Sequence, residues 1–73
     1  MLFFMSNILT IFGKHLKNLR QKENLTQKEF ALKSGLHINY IGMIERGERN
    51  PSLKNLEIIA KTFKISLSEL MNF

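Results

Sequence analysis

Apolar residues recur along this chain at intervals of three and four, the spacing that places them on one face of a helix. Ile8, Phe12, Leu16 and Leu19 form the first series, with Lys14, Lys17, Asn18 and Gln21 between them, and predict an amphipathic helix over Ile8 to Lys22. It should end near Glu23 and Asn24, because Asn tolerates left-handed backbone and Thr26 opens a new helix. Thr26-Gln27-Lys28-Glu29 has the spacing of a capping box: the Thr hydroxyl accepts from the Glu29 amide, and the Glu29 carboxylate accepts from the Thr26 amide. The second helix so begun would bury Phe30, Ala31 and Leu32 and stop at Ser34-Gly35, where glycine allows the positive φ of a tight turn. Leu36 and His37 complete the turn, and a third helix follows from Ile38 to Arg46, ended by Gly47. Glu48-Arg49-Asn50-Pro51 is loop by composition, since Asn-Pro disfavours helix. Ser52 can cap a fourth helix, Leu53 to Phe63, with a stripe of Leu53, Leu56, Ile59, Ala60 and Phe63. Ser66 with Glu69 repeats the capping-box pattern and opens a short fifth helix carrying Leu67, Leu70 and Met71. No strand pattern competes, so the fold class is all-α, a compact five-helix bundle.

Length makes this one domain: with 73 residues, two cores would each fall below the size at which metals or disulfides become necessary. Neither staple is at hand. There is no Cys, and His15 and His37 lack the partners that a four-ligand zinc site needs, so no metal and no cofactor is expected. Packing of the 44% hydrophobic residues must hold the fold. Residues 1–7 read as an apolar arm or as an artefact of the start site, Met5 being an equally good start, and residues 8–73 as the folded domain. A targeting segment is rejected, because no basic residue precedes the apolar run and it is far shorter than the roughly 20 residues that span a bilayer, so no membrane association is expected. Eleven basic residues face six acidic ones, all Glu, for a net charge of +5, and such an excess on a small surface suits a polyanionic partner. Catalysis fails on chemistry: with no Asp, no Cys and no Ser-His or paired-carboxylate spacing, neither an enzyme nor a small-molecule substrate is expected.

The second and third helices are joined so closely, by Ser34-Gly35-Leu36-His37, that they must cross steeply, which is helix-turn-helix geometry. On the third, Ile41, Ile44 and the stem of Glu45 fall on a packing side, and Ile38, Asn39, Gly42, Met43 and Arg46 on a free side. The run Leu25-Thr26-Gln27 through Ala31, then Ser34-Gly35-Leu36, Tyr40-Ile41, Ile44-Glu45-Arg46-Gly47 and Asn50-Pro51-Ser52 resembles the Cro/cI-type (XRE) helix-turn-helix family, over nearly the whole span from Phe12 to Leu70. The lack of any ligand-binding extension is similar to the controller proteins of restriction-modification systems and to small phage-type repressors. The resemblance implies a lambda-repressor-like domain over residues 8–73, acting as a transcriptional regulator on double-stranded DNA.

Several residue roles follow from the resemblance. Gln27, at a helix N-terminus, would bind a phosphate. Ile38, Asn39 and Met43 match positions that reach base edges; Asn39 can pair bidentately with adenine, while Ile38 and Met43 offer apolar contact, for instance to a thymine methyl. They depart from the polar Gln or Arg of relatives, so DNA shape should supply part of the specificity. Tyr40, Arg46, Arg49 and Asn50 would touch the phosphate backbone, Arg49 alternatively a narrow minor groove. Arg20 and Glu45 match a partly buried ion pair that ties the first helix to the third, an architectural role. His15 and His37 carry no implied chemistry, His37 being a candidate N-cap.

A single reading helix gives modest specificity, and two on half-sites about 34–36 Å apart multiply it, so a homodimer is expected. Its surface is assigned to Leu67, Leu70, Met71 and Phe73 with part of the fourth helix, Leu2, Phe3 and Phe4 covering it; alternatively Leu67 and Leu70 close the monomer core. The expected location is cytoplasmic and nucleoid-associated, for a bacterial or phage-encoded protein. The alternative function is an antitoxin or other protein-interaction module on the same fold.

Overall fold

The computed structural model describes residues 2–73, with their side chains from residue 8 onward. Five helices follow in order: α1 (Leu2–Lys22), α2 (Gln27–Ser34), α3 (Ile38–Glu45), α4 (Leu53–Thr62) and α5 (Leu67–Leu70). The first begins six residues before the expected Ile8, because the Leu2–Asn7 stretch holds no glycine or proline to stop it; an arm at residues 1–7 covering a partner, with Leu2, Phe3 and Phe4, lies outside the described side chains.

The capping signals act as expected. Thr26 and Ser66 accept from the amides of Glu29 and Glu69, both at 3.0 Å, and both glutamates return the bond to the capping backbone N–H. These backbone bonds, then those from the capping hydroxyls, hold both carboxyls below the usual range. The caps are therefore intact at neutral pH and are lost as the pH falls through the depressed folded-state value. Asn24 and Lys64 take positive φ, 57° and 59°, to end α1 and α4. For Asn the left-handed region is mild; for Lys it costs about 1–2 kcal/mol. Lys64→Gly should therefore raise stability by about 0.5–1 kcal/mol after the extra unfolded-state freedom of glycine is deducted, seen as a rise in Tm. An unchanged or lowered Tm would show that the Lys64 side chain makes compensating contacts.

The core joins Phe12 and Leu16 of α1, Phe30 of α2, Ile41 and Ile44 of α3, Ile59 and Ala60 of α4, Phe63, and Leu70 of α5. Phe30 and Phe63 stack with centroids 4.8 Å apart. Two expected core residues stand outside. Leu32 is 77% exposed because it lies about 200° around α2 from Phe30, on a helix too short to bury both sides. Leu53 is 70% exposed because it sits in the first turn of α4, a turn before Leu56, where the stripe meets the core.

The packing of α1 on α3 depends on Gly13. A Cβ there would collide with the carbonyl oxygen of Ile44 and come within 2.6 Å of that of Glu45. One turn earlier Thr10 receives the turn after α3: Gly47, at φ 76°, lies so close that its Cβ would meet Thr10 Oγ1 at 2.9 Å. A backbone-to-backbone seat on α1 thus fixes the C-terminal end of α3.

Candidate nucleic-acid interface

The turn between α2 and α3 is built from local bonds. Gly35, at φ 77°, donates its N–H to Ala31, and Leu36 N–H donates to Ser34 Oγ at 3.1 Å. His37 then serves as N-cap of α3, its Nδ1 accepting from the Asn39 amide at 3.1 Å. This cap leaves Ile38 and Asn39 exposed at the start of the helix, while Met43, a turn further on, is half-buried.

Gly42 is buried, against the expectation that it lies on the free side. The Arg46 guanidinium and the Gln27 amide roof it: a Cβ there would lie 3.1 Å from Arg46 Nη1 and 3.7 Å from Gln27 Oε1. The absent side chain lets two proposed phosphate contacts, one from the start of α2 and one from the C-cap of α3, converge.

Behind them runs a chain of polar groups through three helices. Arg20 forks onto Glu45, Nε to Oε2 at 2.7 Å and Nη2 to Oε1 at 2.9 Å, and its Nη1 donates to the Leu25 carbonyl at 2.8 Å. Gln27 Nε2 donates to Glu45 Oε1 at 3.0 Å, which leaves its second N–H to point elsewhere. The Arg20 and Glu45 side chains are only 8% and 4% exposed, so the expected ion pair is present and nearly dry. The bond to Glu45 raises the Arg20 pKa above its ordinary value, holding the guanidinium charged despite its burial.

The remaining candidates differ in freedom. Arg46 forks onto exposed Glu48, Nε to Oε2 at 3.0 Å and Nη2 to Oε1 at 3.1 Å, so any anion approaching Arg46 would have to compete with that carboxylate. Arg49 lies over the Tyr40 ring, 5.3 Å from its centroid, and the Tyr40 hydroxyl accepts from Asn55 Nδ2 at 2.9 Å. Asn55 escaped the sequence reading, because at the third position of α4 nothing in the periodicity marks which way it faces. Asn50 is exposed and lines an apolar groove with Ile8, Leu9, Phe12, Pro51, Leu56, Met71 and Phe73.

That groove redraws the proposed dimer surface. Leu70 is 0% exposed and belongs to the chain's own core, since α5 folds back and His15 Nε2–H donates to the Leu70 carbonyl at 2.9 Å; it is removed from the interface set. Leu67 is half-buried against the same core. Met71 and Phe73 are exposed, 42% and 44%, and line the groove together with Ile8 of α1, 51% exposed; Ile11, a turn further along α1, is 49% exposed. Phe73 also packs inward, its ring 5.1 Å from that of His15 and 5.7 Å from that of Phe12. No helix among the described residues is long and apolar enough to cross a membrane, and no cluster there could hold a metal ion.

Known proteins share both sequence and fold. Residues 16–70 match the helix-turn-helix family HTH_3. The control protein C.MunI of a Mycoplasma species is 45% identical over 69 residues, 93% of this chain and 93% of its own. The control protein C.BamHI of Bacillus amyloliquefaciens is 39% identical over 93% of this chain and 85% of its own. Among solved structures, the restriction-modification controller protein C.AhdI from Aeromonas hydrophila superimposes with a TM-score of 0.85 at 40% identity, covering 89% of this chain and 98% of that one. The controller protein C.Esp1396I, solved as a tetramer with its natural 35-base-pair operator, superimposes with a TM-score of 0.78 at 35% identity over 85% of this chain and 82% of that one.

Proposed function

Because this chain belongs to the helix-turn-helix family HTH_3, we propose that it regulates transcription by binding a two-fold symmetric DNA operator as a homodimer, each protomer laying α3 in the major groove. The observation that carries this reading is the start of α3. His37 caps it and leaves Ile38 and Asn39 uncovered, while the Arg20–Glu45–Gln27 chain holds a phosphate-seeking amide beside the same face. In this reading Asn39 reads a base edge, Ile38 and Met43 contact it apolarly, and Gln27, Tyr40, Arg46, Arg49 and Asn50 engage the backbone. The likeness to C.BamHI, C.MunI and C.AhdI supports a controller role in a restriction-modification system, exerted in the cytoplasm. The pairing surface is the exposed set Met71, Phe73, Ile8 and Ile11, with Leu67 at its edge.

Selection from a random duplex pool tests the whole reading: a symmetric consensus with half-sites about one helical turn apart is expected, and salt-sensitive binding without a consensus would refute it. Substitutions then separate the roles. Asn39→Ala should cost about 1–3 kcal/mol on the selected duplex and relax one base position, whereas Gln27→Ala should weaken all sequences alike and reduce the salt slope by about one. Equal losses for Asn39→Ala on selected and random duplexes would remove its base-reading role.

A further inference from the structure

Tyr40 is held from two directions by residues that serve different segments. Arg49, from the loop after α3, covers its ring, and Asn55, from the first turn of α4, reaches its hydroxyl. Asn55 is itself immobilised. It is half-buried, and its backbone N–H donates to the Ser52 cap at 3.1 Å.

The chemistry of this contact has a direction. A phenol oxygen carries one proton and two lone pairs, whereas an amide NH2 only donates. The Asn55 Nδ2 bond therefore occupies a lone pair of Tyr40 and leaves the O–H proton unspent, and among the described residues no hydrogen bond uses that proton. A hydroxyl that accepts one hydrogen bond is also a stronger donor for the next.

We infer that Asn55 is a positioning residue for DNA binding: by donating to Tyr40 it turns the phenol O–H outward as a donor to a phosphate oxygen of the duplex. The inference rests on the reading of Tyr40 as a backbone contact. It also gives α4 a part in recognition, because the α3 hydroxyl is aimed by a side chain from another helix.

A double-mutant cycle on the full chain tests it, with affinity measured on the duplex that the wild type selects and on a random duplex of equal length. Tyr40→Phe and Asn55→Ala should each weaken binding about tenfold on both duplexes, and the double variant should be no weaker than either single one. The urea midpoint of Asn55→Ala should stay at the wild-type value, which separates aiming from folding. Losses that multiply to about a hundredfold, or Asn55→Ala binding as the wild type does, would overturn the inference and leave the role of Tyr40 standing. Tyr40→Phe binding as tightly as the wild type would remove Tyr40 from the interface and the inference with it.

Asn55→Asp provides a second, nearly isosteric arm. The carboxylate accepts instead of donating, so the phenol proton turns inward, and the loss should exceed that of Asn55→Ala when Tyr40 is present and shrink in the Tyr40→Phe background. The same loss in both backgrounds would assign the effect to charge alone and overturn the inference.

Discussion

Gly13→Ala is expected to destabilise the chain by about 3 kcal/mol in urea unfolding. Considered by itself, α1 argues the other way: alanine is favoured over glycine inside a helix by about 1 kcal/mol. The contact across the helix decides the sign. The new methyl would meet the carbonyl oxygens of Ile44 and Glu45, which are backbone and have no rotamer to escape into. The helices must separate instead, opening the packing of Phe12 and Leu16 against Ile41 and Ile44. Overpacking a tight interior commonly costs about 1–3 kcal/mol, and an obstacle made of main chain belongs at the upper end. By general scaling a domain of this size has about 4–11 kcal/mol in total, so the loss is a large share. A stability equal to or above the wild type would mean that the gap between α1 and α3 yields freely, and the seat described for α3 would be wrong.

The second large effect is at Glu45. Glu45→Ala strands the Arg20 guanidinium in a nearly dry site and should cost about 3–5 kcal/mol, whereas the same change at exposed Glu48, whose charge water already screens, should leave the urea midpoint close to that of the wild type. The contrast tests burial rather than charge. Replacing both partners, Arg20→Met with Glu45→Leu, should recover most of the stability, because a buried pair is often dispensable when apolar side chains fill its volume. The double variant should still bind DNA weakly, since Gln27 would have lost the carboxylate that holds its amide. Glu45→Ala within about 1 kcal/mol of the wild type would show that water reaches Arg20. Full recovery of DNA affinity in the double variant would show that Gln27 needs no anchor.

What could be read from the sequence was what local bonding decides. Thr26 with Glu29, Ser66 with Glu69, His37, Asn24, Gly35 and Gly47 each satisfy or terminate a helix through neighbours a few positions away, so a short window contains the reason for them. The helix-turn-helix followed from those boundaries, and its family from the order of the motifs between them. What could not be read depends on elements far apart in the chain. Leu70 carries the same apolar signal whether it faces a partner or its own core, and only the return of α5 onto His15 distinguishes the two. Leu32 appears as core in any hydrophobic count, yet its neighbours on α2 had already taken the buried face. Gly13 and Gly42 look like weak helix positions; one admits a foreign backbone and the other lies under side chains from α2 and its own last turn. Asn55 gave no signal, because its importance lies in the hydroxyl it meets.

The seat on α1 also has a mechanical consequence. Ile11, in the proposed pairing surface, and Gly13, which holds the end of α3, are two residues apart on one uninterrupted helix, a rise of about 3 Å. No hinge lies between them. In a dimer that pairs through Ile8 and Ile11, the two reading helices would be clamped at one separation and one rotational phase. An operator lengthened by one base pair between its half-sites displaces them by about 3.4 Å and turns them by about 34–36°. With no compliant joint in α1 between Ile8 and Gly13, the strain of a mismatched spacer would fall on the twist and bend of the duplex, and spacer length would become something such a dimer measures without touching it.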